Sequence, residues 1–300
     1  MIETHNQRSA LQPGFSILIP SWNNLAYLKL CIASILKNSS FPHQIIIHVN
    51  EGSDGSRQWV QDQKLDFTCS KENIGICKAV NFARTLVRTD YIVYMNDDMY
   101  VCPGWDLELW KEIADLKTRF FFLSSTMLEP YPTASTPVIA PCNYGTTAET
   151  FDEAALLSEF MRYDKSDWSG ASRPPNIVHK DIWDLVGGYS VEFSPGASSD
   201  PDFSMKLWHA GVSHFKGIGN SRVYHFVSKS LHRTKMNNGR RQFLRKWGIT
   251  SSTLEKHYLK LGKPYNGACS IDYEDSQYRS AVLKNKLQRL FQWPASGDFP

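Results

Sequence analysis

No run of apolar residues approaches the ~18 needed to cross a bilayer, and the start, Met1 to Gly14, lacks the apolar stretch of a secretory signal. Neither a membrane span nor export is expected. Cysteine is sparse and scattered: Cys31, Cys69, Cys77, Cys102, Cys142 and Cys269, with no CxxC pair. This argues against a disulfide scaffold or a zinc ribbon, and reads as the reduced thiols of a cytoplasmic protein. A charge excess is missing too. Lys and Arg number 33 against 30 Asp and Glu, too even a balance to suggest a nucleic-acid partner. There is no internal repeat. What is present is ordinary for a globular chain: 300 residues, 42% hydrophobic and 21% charged, enough for one large domain or one domain with a helical appendage.

The apolar pattern alternates short runs with helical periodicity. FSILIP (15–20), QIIIHV (44–49), DFTC (66–69) and DYIVYM (90–95) read as buried strands. Between them Leu25, Leu28, Ile32 and Ile35 recur at helical spacing, a second helix runs through Trp59 and Val60, and a third spans 76–87. This βαβαβαβ order predicts a parallel sheet with helices on both faces. Beyond Asp98 the pattern loosens. Helices are expected over 107–116, 150–163, 203–210, 240–247, 253–261 and 275–291, with short strands at 120–124, 177–179 and 223–226.

In such sheets ligands bind beyond the carboxyl ends of the strands. Three of those ends are polar here: 20–24, 50–56 and 96–98. Asn96-Asp97-Asp98 is the sharpest, because carboxylates at a strand end suit Mg²⁺ or Mn²⁺ beside substrate phosphates. The same three residues also suit a plain turn.

FSILIPSWNN, HVNEGSDGS, KENIGICKAVNFA and DYIVYMNDDMYVCPGW, taken in order, resemble the family 2 glycosyltransferases with the GT-A fold. The likeness continues through GGYSVEF, SDPDFSMKLWHAG and VYHF, covering about residues 15–226. It implies a Rossmann-like, mostly parallel central sheet flanked by helices, with a tail at 1–14 and a basic loop and helical extension at 227–300. It implies an inverting transfer from a nucleotide-diphosphate sugar, UDP favoured, to a saccharide or glycoconjugate, in surface polysaccharide or glycan synthesis. Asp98 matches the last acid of the metal motif, Asn96 stands where its first acid often is, and some relatives place a metal-ligating His where His225 falls. These three would hold Mn²⁺ or Mg²⁺. Pro20, Ser21, Glu51, Lys71, Asn73 and Asp97 match positions that hold the nucleoside. Asp200 matches the general base, although Asp202 in the same turn is an alternative.

Three departures from the family pattern, Asn50, Asn96 and Ser199, leave a catalytically silent sugar- or nucleotide-binding domain as the rival. A nucleotidyltransferase is disfavoured, since SWNNLAYLK has no glycine to wrap a triphosphate. Six basic residues in 229–241 (Lys229, His232, Arg233, Lys235, Arg240 and Arg241) suggest a lid over the diphosphate, or a solvated linker. Trp168 is singled out for acceptor stacking. The basic helix 275–291 is either solvated or in peripheral contact with a membrane.

Overall fold

The computed structural model describes residues 2–5, 14–228 and 237–291. Its first half is regular: Ile2–His5 (β1), Phe15–Trp22 (β2), Leu25–Asn38 (α1), Gln44–Asn50 (β3), Ser56–Asp62 (α2), Asp66–Ser70 (β4), Gly75–Arg84 (α3) and Tyr91–Tyr94 (β5). The second half is not: Met99–Val101 (β6), Trp105–Leu116 (α4), Phe121–Leu128 (β7), Glu153–Glu159 (α5), Trp168–Ser169 (β8), Asn176–His179 (β9), Lys180–Leu185 (α6), Ser199–His209 (α7) and His214–His225 (β10). Gly239–Trp247 (α8), Ser251–Thr253 (α9), a π-helical turn at Leu254–Tyr258 and Ser276–Phe291 (α10) follow.

One sheet organises everything, in the order β1-β4-β3-β2-β5-β9-β7-β10-β6, with β8 beside β10. β4, β3, β2 and β5 are parallel. β9 runs antiparallel to both β5 and β7, and β10 is parallel to β7. Six of the ten strands therefore share one direction, as the sequence suggested, while β1, β6, β8 and β9 oppose it. Strand alternation sorts side chains between two layers. Phe15, Ile17 and Ile19 meet Ile32 and Ile35 of α1, Val60 of α2 and Ile113 of α4 on one face. Leu18 and Ile46 meet Val80 of α3, Ile182 of α6 and Leu207 of α7 on the other. Burying each Leu or Ile side chain is worth ~1.5–3 kcal/mol, so the two-sided apolar strands are stable only inside this sandwich.

Several expectations need correction. Residues 2–5 of the supposed tail form an edge strand, with Glu3 opposite Cys69 and His5 opposite Phe67, whose ring the His5 ring stacks on at 4.3 Å. The helix expected over 150–163 is only Glu153–Glu159, because the Asp152 carboxylate accepts from the Ala155 N–H and fixes the start. The strand expected at 223–226 is the end of the 12-residue β10. The C-terminal helical extension is present as expected, and it packs on the domain: Phe243, Leu254, Tyr258 and Leu259 share the core layer of Leu18 and Phe203.

Candidate active site

A cleft of about 200 Å³ opens at the carboxyl ends of β2, β3 and β5, where strand order reverses about β2. It gathers seven of the ten predicted site residues: Pro20, Ser21, Asn73, Asn96, Asp97, Asp98 and His225. Trp22, Asn50, Gly75, Ile76, Pro195, Val227 and Ser228 complete its wall, and the last three reach it through long-range folding.

Its sharpest feature is set by two ladders. Antiparallel β6–β10 pairing places His225 opposite Met99, next to Asp98. Parallel β7–β10 pairing places Tyr224 opposite Leu128, next to Glu129. The imidazole consequently lies between two acids. Nδ1 donates to Glu129 Oε1 at 2.8 Å, and Nε2 faces Asp98 Oδ1 at 3.5 Å. Burial opposes charge on His225, but the two carboxylates outweigh it and lift its pKa to about 10. Burial likewise opposes charge on Asp98, yet His225 and Ser228 prevail and hold its carboxyl below the usual range. The chain then turns at Val227, a β-branched residue at φ +57°, and the Ser228 N–H donates to Asp98 Oδ2 at 2.8 Å. Such strain persists where surroundings over-determine it, commonly at functional sites. Glu129 was missed in the sequence; its signal was its place directly after an apolar strand.

These donors fit a hard-to-borderline divalent ion. A buried carboxylate oxygen and the imidazole Nε2, whose proton a metal would have to displace, converge from one side of the cleft. The other imidazole nitrogen is held by a second carboxylate, the arrangement that orients histidine ligands. Asn96 lines the cleft, but its Oδ1 accepts from the Tyr94 hydroxyl at 3.1 Å, so that oxygen is already engaged. Among the described residues the group of three metal-type side chains within mutual reach, Glu3, His5 and Cys69, lies at the far sheet edge, where Arg57 pairs with Glu3.

The facing side of the cleft is built from strand-end turns. Asn24 Nδ2 donates to Asp97 Oδ1 at 3.0 Å and fixes that acid beside Asp98. Asp54 accepts from the Leu25 and Ser56 N–H groups, tying the start of α1 to the turn after β3. Asn50 Oδ1 accepts from the Ile74 N–H, so the residue standing where the family has an acid serves the loop into α3. Asn73 Oδ1 accepts from the Gly75 N–H in that loop. Glu51 is exposed at φ +64°, and its Oε2 accepts from Trp22 Nε1 at 2.8 Å; it stands at the rim, holding a ring that lines the cleft. Lys71 is exposed and outside the lining.

Asp200 is also outside the lining. It sits half-buried in the first turn of α7, where the Tyr189 hydroxyl donates to its Oδ1 at 3.3 Å. The Tyr189 ring packs edge-on to Tyr94, which connects Asp200 through two tyrosines to Asn96 at the cleft. Burial raises the Asp200 carboxyl to about 6, against the pull of Arg173 and Tyr189. Asp202 is turned away and fully buried, bonded to Trp247 Nε1 at 2.8 Å and Lys246 Nζ at 2.9 Å of α8. It ties two helices together and has no path to a substrate.

Two further expectations fare differently. Trp168 is 5% exposed, donates to Thr126 Oγ1 and lies over Gly217, so it is core and not an acceptor platform. Of the proposed lid, residues 229–236 lie outside the described residues, while Arg240 and Arg241 begin the ordered helix α8.

Residues 16–130 match the model of glycosyl transferase family 2. No curated protein matches the chain in sequence. Among solved structures, S. aureus TarS 1-349 in complex with UDP-GlcNAc superposes with TM-score 0.57 at 16% identity, over 93% of this chain and 73% of that one. Its complex with UDP gives 0.53 at 17%, over 93% and 72%. GalNAc-T7 with UDP, GalNAc and Mn²⁺ gives 0.55 at 12%, over 79% and 48%. The class follows from these likenesses: the chain has the GT-A fold of glycosyltransferases. Within that fold the match to glycosyl transferase family 2 is carried by residues 16–130, the stretch that builds β2 through β7.

Proposed function

We propose that the protein transfers a sugar, with inversion, from a UDP-sugar to a saccharide or glycoconjugate acceptor in surface polysaccharide or glycan synthesis. The observation that carries this reading is the Asp98–His225–Glu129 set at the head of the cleft, opposite the strand-end turns of β2 and β3. Trp22, held by Glu51, offers a flat face for the base, and Asp97, held by Asn24, an acceptor for a ribose hydroxyl. Pro20, Ser21 and Asn73 wall the same space, and Lys71 stands exposed outside it. Mn²⁺ or Mg²⁺ held by Asp98 and His225, with Asn96 adjacent, would neutralise charge on the departing diphosphate. Asp200 takes the proton from the acceptor hydroxyl while that oxygen bonds to the anomeric carbon. The bond from that carbon to the diphosphate breaks, and its electron pair leaves with the nucleotide. A carboxyl near 6 suits this role, being ionised at neutral pH yet a competent base. Six unpaired, buried cysteines support a cytoplasmic setting.

A silent binding domain remains the rival, resting on Asn50, Asn96 and Ser199. Against it stands the positive φ of the β-branched Val227, which turns the chain so that the Ser228 N–H meets the buried Asp98 beside His225. Calorimetry with UDP and Mn²⁺ on the wild type and Asp98→Asn tests the site. Metal-dependent UDP binding should weaken at least about tenfold in the variant. Equal affinity in both would remove the metal role. Turnover of UDP-sugar by the wild type separates enzyme from silent domain.

A further inference from the structure

The helix α10 has two contrasting faces. Asn285 is 3% exposed and donates to Thr253 Oγ1 at 2.8 Å, and Tyr278 packs against the core layer, so both face inward. At ~100° per residue the opposite face carries Leu283, Leu287 and Leu290. They are 61%, 47% and 70% exposed. Lys284 flanks this stripe on one side, and Lys286 and Arg279 on the other. Among its 16 residues, SQYRSAVLKNKLQRLF, there is no acid. The charge is regional as well: residues 237–291 hold 11 Lys and Arg against 4 Asp and Glu, whereas residues 1–236 hold 22 against 25.

We propose that α10 lies in the plane of an anionic lipid surface, with its leucine stripe in the acyl boundary and its flanking lysines at the phosphates. A solvated helix has no use for three aligned leucines at the centre of its outer face. Lipid fits both features at once, because an apolar centre bordered by cations matches a boundary where acyl chains meet anionic headgroups. A second copy of the chain fits only one. Pairing two such helices would bury the leucines but set Lys284 and Lys286 against like charges, with no acid in the helix to answer them. Because α10 packs on α8, and α8 is tied to α7 through Asp202 and Trp247, this face has a fixed relation to the catalytic domain. The inference does not depend on the donor or the acceptor.

Vesicle sedimentation of the full chain, without nucleotide, tests it. Vesicles of phosphatidylcholine alone are compared with vesicles holding about one part in three of phosphatidylglycerol. The protein should sediment with the anionic vesicles only, and be released at about 0.5 M salt. Combining Leu283→Ser, Leu287→Ser and Leu290→Ser should cut the partition at least about tenfold with an unchanged melting temperature, since the leucines are exposed. Lys284→Gln and Lys286→Gln should each cost about fivefold. Failure to sediment, equal partition of the leucine variant, or light scattering that shows a dimer which this variant makes monomeric would each overturn the proposal, the last in favour of helix pairing.

Discussion

The two halves of the sheet are assembled by different rules. β3, β4 and β5 each follow a helix, and β2, β3 and β4 lie side by side in chain order, so an apolar run in the chain becomes a strand in a known place. β9, β7, β10 and β6 are woven from distant segments: His179 pairs with Tyr91, and His225 with Met99. The cleft wall proposed for the nucleoside belongs to the first half. His225, held by Glu129, reaches Asp98, and Asp200 takes its place behind the cleft, only because the second half closes over it. A local pattern can therefore announce where a donor would sit, while the chemistry depends on register over long separations.

The sharpest test of this division is Asp200→Asn. The amide keeps the shape and cannot take a proton, so kcat should fall about 10²–10⁴-fold with donor affinity unchanged. Wild-type activity should fall as pH drops through about 6, where burial places this carboxyl. Stability moves the other way. The folded pKa of about 6 lies above the ordinary 3.8, so the folded state is penalised as pH rises from 3.8 through 6, and the penalty is complete at pH 7. Removing the charge should therefore stabilise the protein at pH 7 by about 1–2 kcal/mol after allowance for partial exposure, with the gain vanishing below about pH 4. Urea melts at both pH values check it. Normal turnover in Asp200→Asn would move the base out of the second half altogether.

The same division explains what was legible. FSILIP, QIIIHV and DYIVYM gave strands in the right order, and the polar residues after them do line the cleft. β10 was read only at its end because Gly217 and Gly219 look like breakers. In the fold they are clearances: a Cβ on Gly217 would sit 1.8 Å from the Trp168 ring, and one on Gly219 2.0 Å from the Lys165 carbonyl oxygen. β1 was overlooked because Ile-Glu-Thr-His is a short polar edge strand with almost no apolar signal. Glu129 was overlooked because its one local signal, a place directly after an apolar strand, does not point to a histidine 96 residues away.

Glu129→Gln sharpens the comparison from the other side. The amide still reaches His225 Nδ1 but no longer supplies a charge, and it can present its own N–H to the ring. The imidazole loses its fixed orientation toward Asp98. Mn²⁺ affinity, followed by the paramagnetic resonance of the free ion without any substrate, should fall about 10–100-fold, while metal-free nucleotide contacts stay unchanged. If affinity holds, register alone positions His225 and the carboxylate is dispensable.

The smallest expected effect concerns Trp168, which the sequence put forward for acceptor stacking and the structure puts in the core. Its indole N–H donates to Thr126 Oγ1 at 2.9 Å on the neighbouring strand, and its ring fills the space that Gly217 leaves. Trp168→Phe removes the donor and leaves a gap one ring wide. A buried hydrogen bond is worth ~0.5–1.5 kcal/mol, and the gap adds a comparable amount, so thermal or urea unfolding should report a loss of about 1–3 kcal/mol. The acceptor KM should not move, since a ring 5% exposed offers no face to a sugar. A stacking residue would behave oppositely, with KM rising and stability nearly constant. The second half of the chain would then contribute acceptor contacts through β8, and the picture of that half as a closing frame behind the cleft would have to be redrawn.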